Sequence, residues 1–490
     1  MAKKTKIIAT ISDIRCEVDF IRQLWHGGMN VARMNSAHIT DEGFLRIINN
    51  VRAVSPEIAI LMDTKGPEVR TTVVEGENLA EHYEPKIELK SGDVVKIYGD
   101  SSKFSNKDTI YVNYPNFVAD VKVDDHILFD DGEIDVKVLS KNDEFLLCEA
   151  QNDGSLGSRK SVNVPGVRIN LPSLTEKDKH NILFAIEHGV DFIAHSFVRS
   201  KQDVLDIQKI LDEHNSPIKI IAKIENQEGV DNIDEILEAA YGVMIARGDL
   251  GIEVPQEKIP GIQRILIRKC VVARKPVIVA TQMLHSMIKN PRPTRAEVTD
   301  IANAIFYRTD ALMLSGETAY GKYPVEAITT MSKIAEEAEK TKLKDNDIKV
   351  PLLDGENDIP SYLSEQAARS AELLHTKAIL TDSFTGRTAR FIAAYRGDIP
   401  VLAICYKEPL IRQLALSYGV MPIYQEAKED NRHYFFAALK MLIEKGFLKF
   451  SDRVVYLSGS QKVGTGNTFL EINSIDNIFA NQNEYMLPNF

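Results

Sequence analysis

Residues 219–249, KIIAKIENQEGVDNIDEILEAAYGVMIARGD, contain the pattern that decides the fold. Two short apolar runs, at 219–225 and 242–249, flank a helical pattern at 230–240. Runs that are apolar on both faces are typical of strands buried in a parallel sheet. The stretch therefore predicts a strand, a crossover helix and a second parallel strand.

The same unit recurs on both sides of this stretch. Strand-like runs lie at residues 6–12, 29–36, 58–65, 191–198, 219–225, 242–249, 275–282 and 311–317. Helical patterns follow most of these runs. Eight such units predict an α/β fold built on a closed (β/α)₈ TIM barrel, in which functional residues lie at the carboxyl ends of the strands.

Two further regions interrupt or follow the predicted barrel. Between residues 67 and 168, short alternating segments separated by Gly and Asp turns predict an inserted all-β domain. A polar linker near residue 350 precedes alternating strand and helix patterns, which predict a C-terminal α/β domain. We therefore assign 1–66 and 169–342 to the barrel, 67–168 to the β domain, and 343–490 to a regulatory or oligomerisation domain.

The composition restricts the class of protein. The chain has 490 residues, of which 44% are hydrophobic and 26% charged, and its net charge is −11. This balance gives no basic surface for nucleic acid, and no apolar run reaches the roughly 18 residues of a membrane span. The cysteines are widely spaced, which is typical of reduced thiols. We expect a soluble cytoplasmic protein without nucleic-acid or membrane partners.

Polar residues end the predicted barrel strands and form a candidate site. They are Arg33, Asn35, Asp63, Thr64, Ser196, Lys223, Glu225, Arg247, Asp249, Thr281, Gln282, Ser315 and Glu317. Each alone is typical of an ion pair or a turn, but their placement on one rim favours a site. Strand alternation predicts that Lys223 and Glu225 share a face, as do Arg247 and Asp249.

The residue types at this rim indicate a kind of chemistry. Carboxylates from two strands suit Mg²⁺, which prefers oxygen ligands and retains water or phosphate. Arg and Lys beside the metal suit phosphoryl transfer, which depends on positioning and charge neutralisation. None of the positions named above is a histidine, and this argues against a Ser-His hydrolase.

Several segments are similar to motifs of the pyruvate kinase family, in family order along most of the chain. They are residues 62–70 (MDTKGPEVR), 156–160 (LGSRK), 223–229 (KIENQEG), 246–251 (ARGDLG), 280–284 (ATQML), 293–297 (PTRAE) and 313–318 (MLSGET). The resemblance implies an enzyme that transfers the phosphoryl group of phosphoenolpyruvate to ADP, giving pyruvate and ATP, the last step of glycolysis.

The resemblance also implies roles for substrate-binding and catalytic residues. Glu225 and Asp249 would hold Mg²⁺ or Mn²⁺, and Lys223 would neutralise the moving phosphoryl group and the enolate. Arg33 would bind the phosphate. The substrate carboxylate would lie against Gly248, Asp249 and Thr281, and a water near Thr281 would protonate carbon three.

Further roles follow from the same resemblance. Potassium would bind Asn35, Asp63 and Thr64, and Glu68 implies that the enzyme depends on K⁺. The nucleotide would contact Asn35, His38, Arg70 and Lys160. The family also implies a homotetramer and a phosphorylated allosteric effector.

The sequence departs from the family pattern at a few positions. Asp13 replaces a proline of the expected nucleotide wall, and Ala37 replaces a serine expected to bind potassium, while the neighbouring Ser36 should point away. Tyr241 and Arg308 replace Asp and Gly at a strand start and in a loop. We expect weaker monovalent-ion binding and altered nucleotide affinity, with the phosphoryl-transfer site intact.

The C-terminal domain contains a candidate effector loop between a strand and a helix. It comprises Thr381, Ser383, Thr385, Gly386, Arg387 and Thr388. Hydroxyl and backbone N–H groups at a helix start can bind phosphate, but a capped helix without a ligand explains the pattern equally. Residues 459–466 only partly resemble a second family loop, and their spacing excludes a Walker-type site.

Two other functions remain open on the sequence alone. Lys223 at a barrel strand end could form a Schiff base, as in lyases. The substitutions at Asp13 and Ala37 would also suit a catalytically weakened metabolite sensor on the same scaffold. The carboxylates next to Lys223 favour the phosphotransferase.

Overall fold

The computed structural model describes residues 3–37, 39–78, 83–341, 350–351, 358–426, 434–459 and 467–480. The first part of the barrel contains β1 (Lys6–Thr10), α1 (Val18–Gly27), β2 (Val31–Asn35), α2 (Asp41–Val54) and β3 (Ala59–Asp63). Helix α2 begins at a capping threonine, because the Thr40 side chain accepts a hydrogen bond from the Gly43 amide. Helix α1 ends at Gly28, which takes the left-handed conformation that glycine permits.

A β domain follows β3, as the sequence predicts. It contains β4 (Ile87–Leu89), β5 (Val94–Tyr98), β6 (Thr109–Tyr111), α3 (Phe117–Asp120), β7 (His126–Phe129), β8 (Ile134–Lys141), β9 (Leu146–Ala150), β10 (Gly154–Leu156) and β11 (Val162–Asn163). Its main sheet has the order β11-β7-β8-β9-β5-β6, and β10 pairs with β4. Alternating buried and exposed residues along β5 and β8 give this domain a core of its own.

The barrel resumes after the β domain with helices between parallel strands. Its elements are α4 (Glu176–Glu187), β12 (Phe192–His195), α5 (Lys201–Glu213), β13 (Lys219–Ile224), α6 (Gln227–Asp231), α7 (Ile233–Ala239), β14 (Gly242–Ala246), α8 (Arg247–Glu253), α9 (Ile259–Val272), β15 (Val277–Ala280), α10 (Arg295–Phe306), β16 (Ala311–Leu314), α11 (Gly316–Ala319) and α12 (Pro324–Thr341). Short 3₁₀ turns lie at Gln256–Lys258 and His285–Ile288.

The predicted (β/α)₈ barrel is confirmed. Its strands close in the order β1-β16-β15-β14-β13-β12-β3-β2, and every neighbouring pair is parallel. Ile8, Leu61, Phe192 and Met244 fill the interior, and the outward side chains pack under the helices. All the carboxyl ends therefore meet at one opening, which we call the mouth, and the amino ends meet at the foot.

The C-terminal domain is an α/β sheet, as predicted. It contains α13 (Ile359–Leu373), β17 (Ala378–Ser383), α14 (Arg387–Ala394), β18 (Val401–Cys405), α15 (Glu408–Gln413), β19 (Val420–Tyr424), α16 (Tyr434–Glu444), β20 (Arg453–Gly459), β21 (Asn467–Ser474) and α17 (Ile475–Ala480), with a 3₁₀ turn at Leu414–Leu416. The sheet order is β19-β18-β17-β20-β21, and only the β20–β21 pair is antiparallel among the described strands.

This domain docks on the foot of the barrel. Arg396 forms a buried ion pair with Asp310 at 2.6 Å, and Arg412 pairs with Asp191 at 2.6 Å. The Lys6 ammonium enters from the barrel and donates to the Val420 carbonyl. Among the described residues, no helix is long and apolar enough to span a membrane.

Candidate active site at the barrel mouth

Two cations and two carboxylates meet inside the mouth. Arg33 at the end of β2 contacts Asp63 at the end of β3, with Nη2 and Oδ2 2.5 Å apart. The Lys223 ammonium lies 3.3 Å from the same carboxylate and 2.9 Å from Glu225. It also donates to the Ser196 hydroxyl at 2.8 Å. Lys223 and Glu225 thus lie together, as the alternation of side chains along the strand predicts.

The charges in this cluster alter one another's protonation. Burial alone would raise the pKa of Asp63, but the positive charges of Arg33 and Lys223 lower it below its ordinary value. Burial would likewise lower the pKa of Lys223, but Glu225, Asp63 and Asp249 raise it above its ordinary value. Lys223 is therefore a permanently charged ammonium at neutral pH, which suits charge neutralisation and not Schiff-base attack.

Glu225 is the carboxylate with spare coordinating capacity. Its Oε2 accepts a hydrogen bond from the Phe197 amide at 2.7 Å. Its Oε1 lies close to Lys223, but it has no well-aligned hydrogen-bond partner among the described residues. Burial raises the pKa of Glu225 to about 7, with the positive charge of Lys223 opposing the shift. A buried carboxylate with an oxygen that is not fully hydrogen-bonded is a good ligand for a hard cation, which would bind beside Lys223.

Asp249 completes a donor set that fits Mg²⁺ or Mn²⁺. It lies near the start of α8 and lines the same cavity as Glu225. Within the described ranges, no group of three or more His, Cys, Asp or Glu side chains is arranged to hold a metal ion. Two carboxylates leave coordination positions for water and substrate oxygens, and that is the usual mode of Mg²⁺ binding.

Arg247 does not share the face of Asp249, so this prediction is wrong. Strand β14 ends at Ala246, and α8 begins at Arg247, so the period of two no longer applies. Arg247 instead pairs with Asp300 at 2.7 Å and donates to the Thr281 carbonyl. It fixes the loop after β15 and takes no place in the carboxylate cluster.

Thr281 is held in an unusual backbone conformation beside α8. Its φ is 68°, a left-handed value that is rare for a β-branched residue. Such a conformation persists only where the surrounding structure holds it. Its hydroxyl accepts a hydrogen bond from the Gly248 amide at 2.8 Å and donates to the Ala280 carbonyl. The threonine therefore fixes the first turn of α8, on which Asp249 lies.

The inserted β domain covers one side of the mouth. A cavity of about 620 Å³ is lined by the cluster residues and by side chains of this domain, including Arg70 and Lys160. Arg70 is oriented by Glu68 at 2.7 Å, and Lys160 pairs with Asp130 at 2.8 Å. The opening thus has the volume of a small-molecule site and cations on two walls.

The residues of the expected potassium site also line this cavity. Asn35, Ala37, Asp63 and Thr64 are among its lining residues. The Oδ1 atom of Asp63 has no hydrogen-bond partner in the described part of the chain. Ser36 is not among the residues that line the cavity, so it does not replace the hydroxyl that Ala37 lacks. His38 lies outside the described residues.

The sequence reading missed a histidine at a strand end. His195 is the last residue of β12, is 1% exposed, and has its Nδ1 atom 3.3 Å from the Thr64 hydroxyl. Burial lowers its pKa to about 4, so the ring is neutral. It lies beneath Thr64 and is not a lining residue of the cavity. It was missed because it lies within a continuous apolar run.

The other departures lie away from the cluster. Asp13 faces Arg46, with the carboxylate and guanidinium 3.8 Å apart, and does not line the cavity. Tyr241 contacts the C-terminal domain, donating its hydroxyl hydrogen to the Gln413 carbonyl. Arg308 keeps a left-handed φ of 76° in the loop before β16, and its carbonyl accepts hydrogen bonds from Arg396. These two substitutions thus belong to the interface between domains.

The candidate effector loop connects β17 to α14. Thr381 and Ser383 are buried, and the Ser383 hydroxyl accepts a hydrogen bond from the Gly386 amide. Thr385 and Arg387 are exposed, and Thr388 is half-buried. Only part of the predicted set therefore faces solvent. Residues 460–466 of the second loop lie outside the described residues.

Comparison with known proteins agrees with this geometry. Residues 2–328 match the family model described as "Pyruvate kinase, barrel domain", and residues 362–470 match "Pyruvate kinase, alpha/beta domain". The chain belongs to the pyruvate kinase family. It is therefore a phosphotransferase, and the charged cluster at the mouth falls within the range matched by the barrel model.

Individual relatives cover nearly the whole chain. Pyruvate kinase of Borreliella burgdorferi is 45% identical over 490 residues, which cover 99% of this chain and 100% of that protein. Pyruvate kinase of Geobacillus stearothermophilus is 43% identical, covering 98% of this chain and 82% of that protein. The crystal structure of a pyruvate kinase from Cryptosporidium parvum is similar with a TM-score of 0.88 and 36% identity, covering 96% of both chains.

Proposed function

We propose that the barrel mouth transfers the phosphoryl group of phosphoenolpyruvate to ADP, with Arg33, Lys223, Glu225 and Asp249 as its principal residues. The observation that carries the proposal is the position of Lys223. Its charged ammonium lies within 3.3 Å of Asp63, Glu225 and Ser196 oxygens, on the wall of a cavity that also holds Arg33.

The cations would stabilise the charge that moves during the reaction. Arg33 is locked by Asp63 and Thr10, with its Nη1 2.9 Å from the threonine hydroxyl, so it presents a fixed charge to the phosphate. The bond between phosphorus and the enol oxygen breaks as a bond to a terminal oxygen of ADP forms. Lys223 would neutralise the enolate oxygen that is left behind.

A divalent cation fits the site and would be held by Glu225 and Asp249. When bound, Mg²⁺ or Mn²⁺ would neutralise negative charge on the substrate and its phosphoryl group. The chain's own residues perform the positioning: Thr281 fixes Gly248 at the start of α8, where the substrate carboxylate would lie. A water beside Thr281 would then protonate carbon three of the enolate, giving pyruvate.

The remaining ligand contacts follow the family pattern. The nucleotide would lie between the barrel and the β domain, against Asn35, Arg70 and Lys160, with His38 as a further contact. Potassium would bind Asn35, Asp63 and Thr64, and we expect weaker binding because Ala37 supplies no hydroxyl. The free Asp63 Oδ1 supports a cation here.

The broader biological context is also a proposal. We expect the enzyme to act in the cytoplasm as the last step of glycolysis and to assemble as a homotetramer. A phosphorylated effector would bind the loop of residues 381–388, through the exposed Thr385 and Arg387 and the half-buried Thr388. The buried Thr381 and Ser383 would shape the loop without touching the effector directly.

Neither alternative function is favoured by the site. A Schiff-base lyase needs a lysine with a lowered pKa, whereas the pKa of Lys223 is raised. A weakened sensor needs a defect in the reaction site, whereas Asp13 lies outside the cavity and Ala37 affects only the expected potassium position.

A coupled assay with lactate dehydrogenase tests the proposed function. Phosphoenolpyruvate, ADP and Mg²⁺ are mixed with the full chain, and pyruvate is followed through NADH oxidation, with K⁺ compared against Na⁺. We expect turnover that requires both substrates and Mg²⁺, with K⁺ saturation shifted to high concentration. Absence of pyruvate formation would contradict the proposal, and saturation at ordinary low-millimolar K⁺ would contradict the role given to Ala37.

A further inference from the structure

The foot of the barrel contains a cluster of charged residues, partly buried and partly half-buried, that the proposed reaction does not use. The cluster consists of Arg274, Lys275, Asp310, Arg390 and Arg396, which line one small cavity together with Ser417. It lies where the C-terminal domain meets the barrel, since Arg390 belongs to α14 and Lys275 precedes β15. Four cations therefore surround a single carboxylate.

Both oxygens of the Asp310 carboxylate already accept hydrogen bonds. One oxygen of Asp310 accepts from the Arg396 guanidinium and the Val277 amide, and the other accepts from the Tyr418 amide. Arg396 also donates hydrogen bonds to the carbonyls of Arg308 and Ala393. One carboxylate is thus matched by Arg396, and three cations of the cluster remain in excess.

The three remaining cations have only neutral partners in the described part of the chain. Arg274 donates to the Pro351 carbonyl and lies 4.9 Å from the Phe391 ring centroid. Lys275 donates to the Ala240 carbonyl. Arg390 donates to the Tyr241 hydroxyl and the Thr385 carbonyl, and lies over the Tyr241 ring. Positive charge is therefore in excess where the two domains meet. The desolvation cost is largest at Arg274, which is buried, because Lys275 and Arg390 are half-buried.

Buried donors without partners belong to two residues that line this cavity. The Nε and Nη1 atoms of Arg274 and the hydroxyl of Ser417 have no hydrogen-bond partner among the residues described. Arg274 is 4% exposed and Ser417 is 1% exposed. Burial lowers the pKa of Lys275, and the charge of Arg390 lowers it further, as an excess of positive charge requires. The cavity thus lacks an acceptor that carries negative charge.

We propose that this cavity is a binding site for one small monovalent anion such as chloride. The cavity measures about 10 Å³, which corresponds to one water-sized occupant, so phosphate and sugar phosphates are too large. A halide accepts hydrogen bonds from guanidinium, ammonium and hydroxyl groups at once. It would neutralise the cluster and hold α14, and with it the C-terminal domain, against the foot of the barrel.

Diffraction from crystals of the full chain grown in sodium bromide tests the site directly. Bromide replaces chloride and has an anomalous signal that water lacks. We expect an anomalous peak in contact with Arg274 and Ser417. A water without anomalous signal, or a carboxylate of the chain itself occupying the cavity, would overturn the proposal.

Thermal unfolding in solution gives a second, independent measurement. Sodium chloride is compared with sodium gluconate at equal ionic strength, for the wild type, Arg274→Met and the control Arg369→Met on the exposed face of α13. We expect chloride to raise the Tm of the wild type and the control by about 2 °C relative to Arg274→Met. An identical anion response in all three proteins would overturn the proposal. Ser417→Ala, which removes one donor and little volume, replaces Arg274→Met if that variant does not fold.

Discussion

The two ends of the barrel contain buried charge in different arrangements. At the mouth, Arg33 and Lys223 are matched by Asp63 and Glu225 on the wall of a cavity of about 620 Å³. At the foot, cations outnumber carboxylates around a cavity of about 10 Å³. Charge that borders a large cavity is available to a substrate, whereas charge around the small cavity of the foot acts on the contact between the domains. The charged residues at the mouth are therefore expected to act in catalysis, and those at the foot are expected to act in stability.

Strand β14 connects the two ends. Tyr241 precedes its first residue and contacts the C-terminal domain at the foot, while Asp249 follows its last residue and lines the mouth. Changes at the mouth should therefore affect turnover, and changes at the foot should affect stability. The variants below test whether this division holds.

Replacement of Lys223 should have the largest effect on activity. Lys223→Met removes the charge that we propose to face the enolate, and it leaves the negative charges of Asp63 and Glu225 less compensated. We expect kcat to fall by about 10³-fold in the coupled assay, with the far-ultraviolet circular dichroism unchanged. Lys137→Met, at a surface pair with Asp124 in the β domain, should keep its activity. Full turnover by Lys223→Met would contradict a catalytic role for the barrel mouth.

Replacement of Arg396 should have the largest effect on stability. Arg396→Met leaves Asp310 buried and unpaired, and we expect the free energy of unfolding in urea to fall by about 3–5 kcal/mol. The exposed pair of Arg369 and Glu365 provides the control, because Arg369→Met should cost less than about 1 kcal/mol. The comparison of the two ends would fail if Arg396→Met lost turnover while its stability stayed unchanged.

Much of the fold and the mouth could be predicted from local patterns. Near-continuous apolar runs identified the barrel strands, and the alternation of side chains placed Lys223 beside Glu225. The same rule failed at Arg247, because the strand ends at Ala246 and not at residue 249 as predicted. His195 was missed for the opposite reason, since it lies inside an apolar strand where no pattern distinguishes it.

The foot could not be predicted, because its contacts join residues far apart in the sequence. Arg396 meets Asp310 across 86 positions, and Arg412 meets Asp191 across 221. No short-range pattern of residues in the sequence predicts such pairs. Tyr241 and Arg308, two departures from the family pattern, have their partners in the C-terminal domain.

Loss of one hydroxyl group at the foot should have the smallest effect. Tyr241→Phe removes the hydroxyl that donates to the Gln413 carbonyl and accepts from Arg390, but keeps the ring under Arg390. We expect a loss of about 1 kcal/mol in unfolding free energy and unchanged kcat. Tyr362→Phe, at a half-exposed position on α13, should lose nothing measurable. Equal losses in both variants would show that the Tyr241 contact does not hold the domains.

We propose that Glu225 and Asp249 share one divalent cation beside Lys223. Mn²⁺ binding followed by electron paramagnetic resonance tests it most directly, because free and bound Mn²⁺ are distinguished without any turnover. We predict that Glu225→Gln weakens Mn²⁺ binding by at least about tenfold, while Glu326→Gln on the exposed face of α12 binds as the wild type does. Wild-type Mn²⁺ affinity in Glu225→Gln would contradict the account.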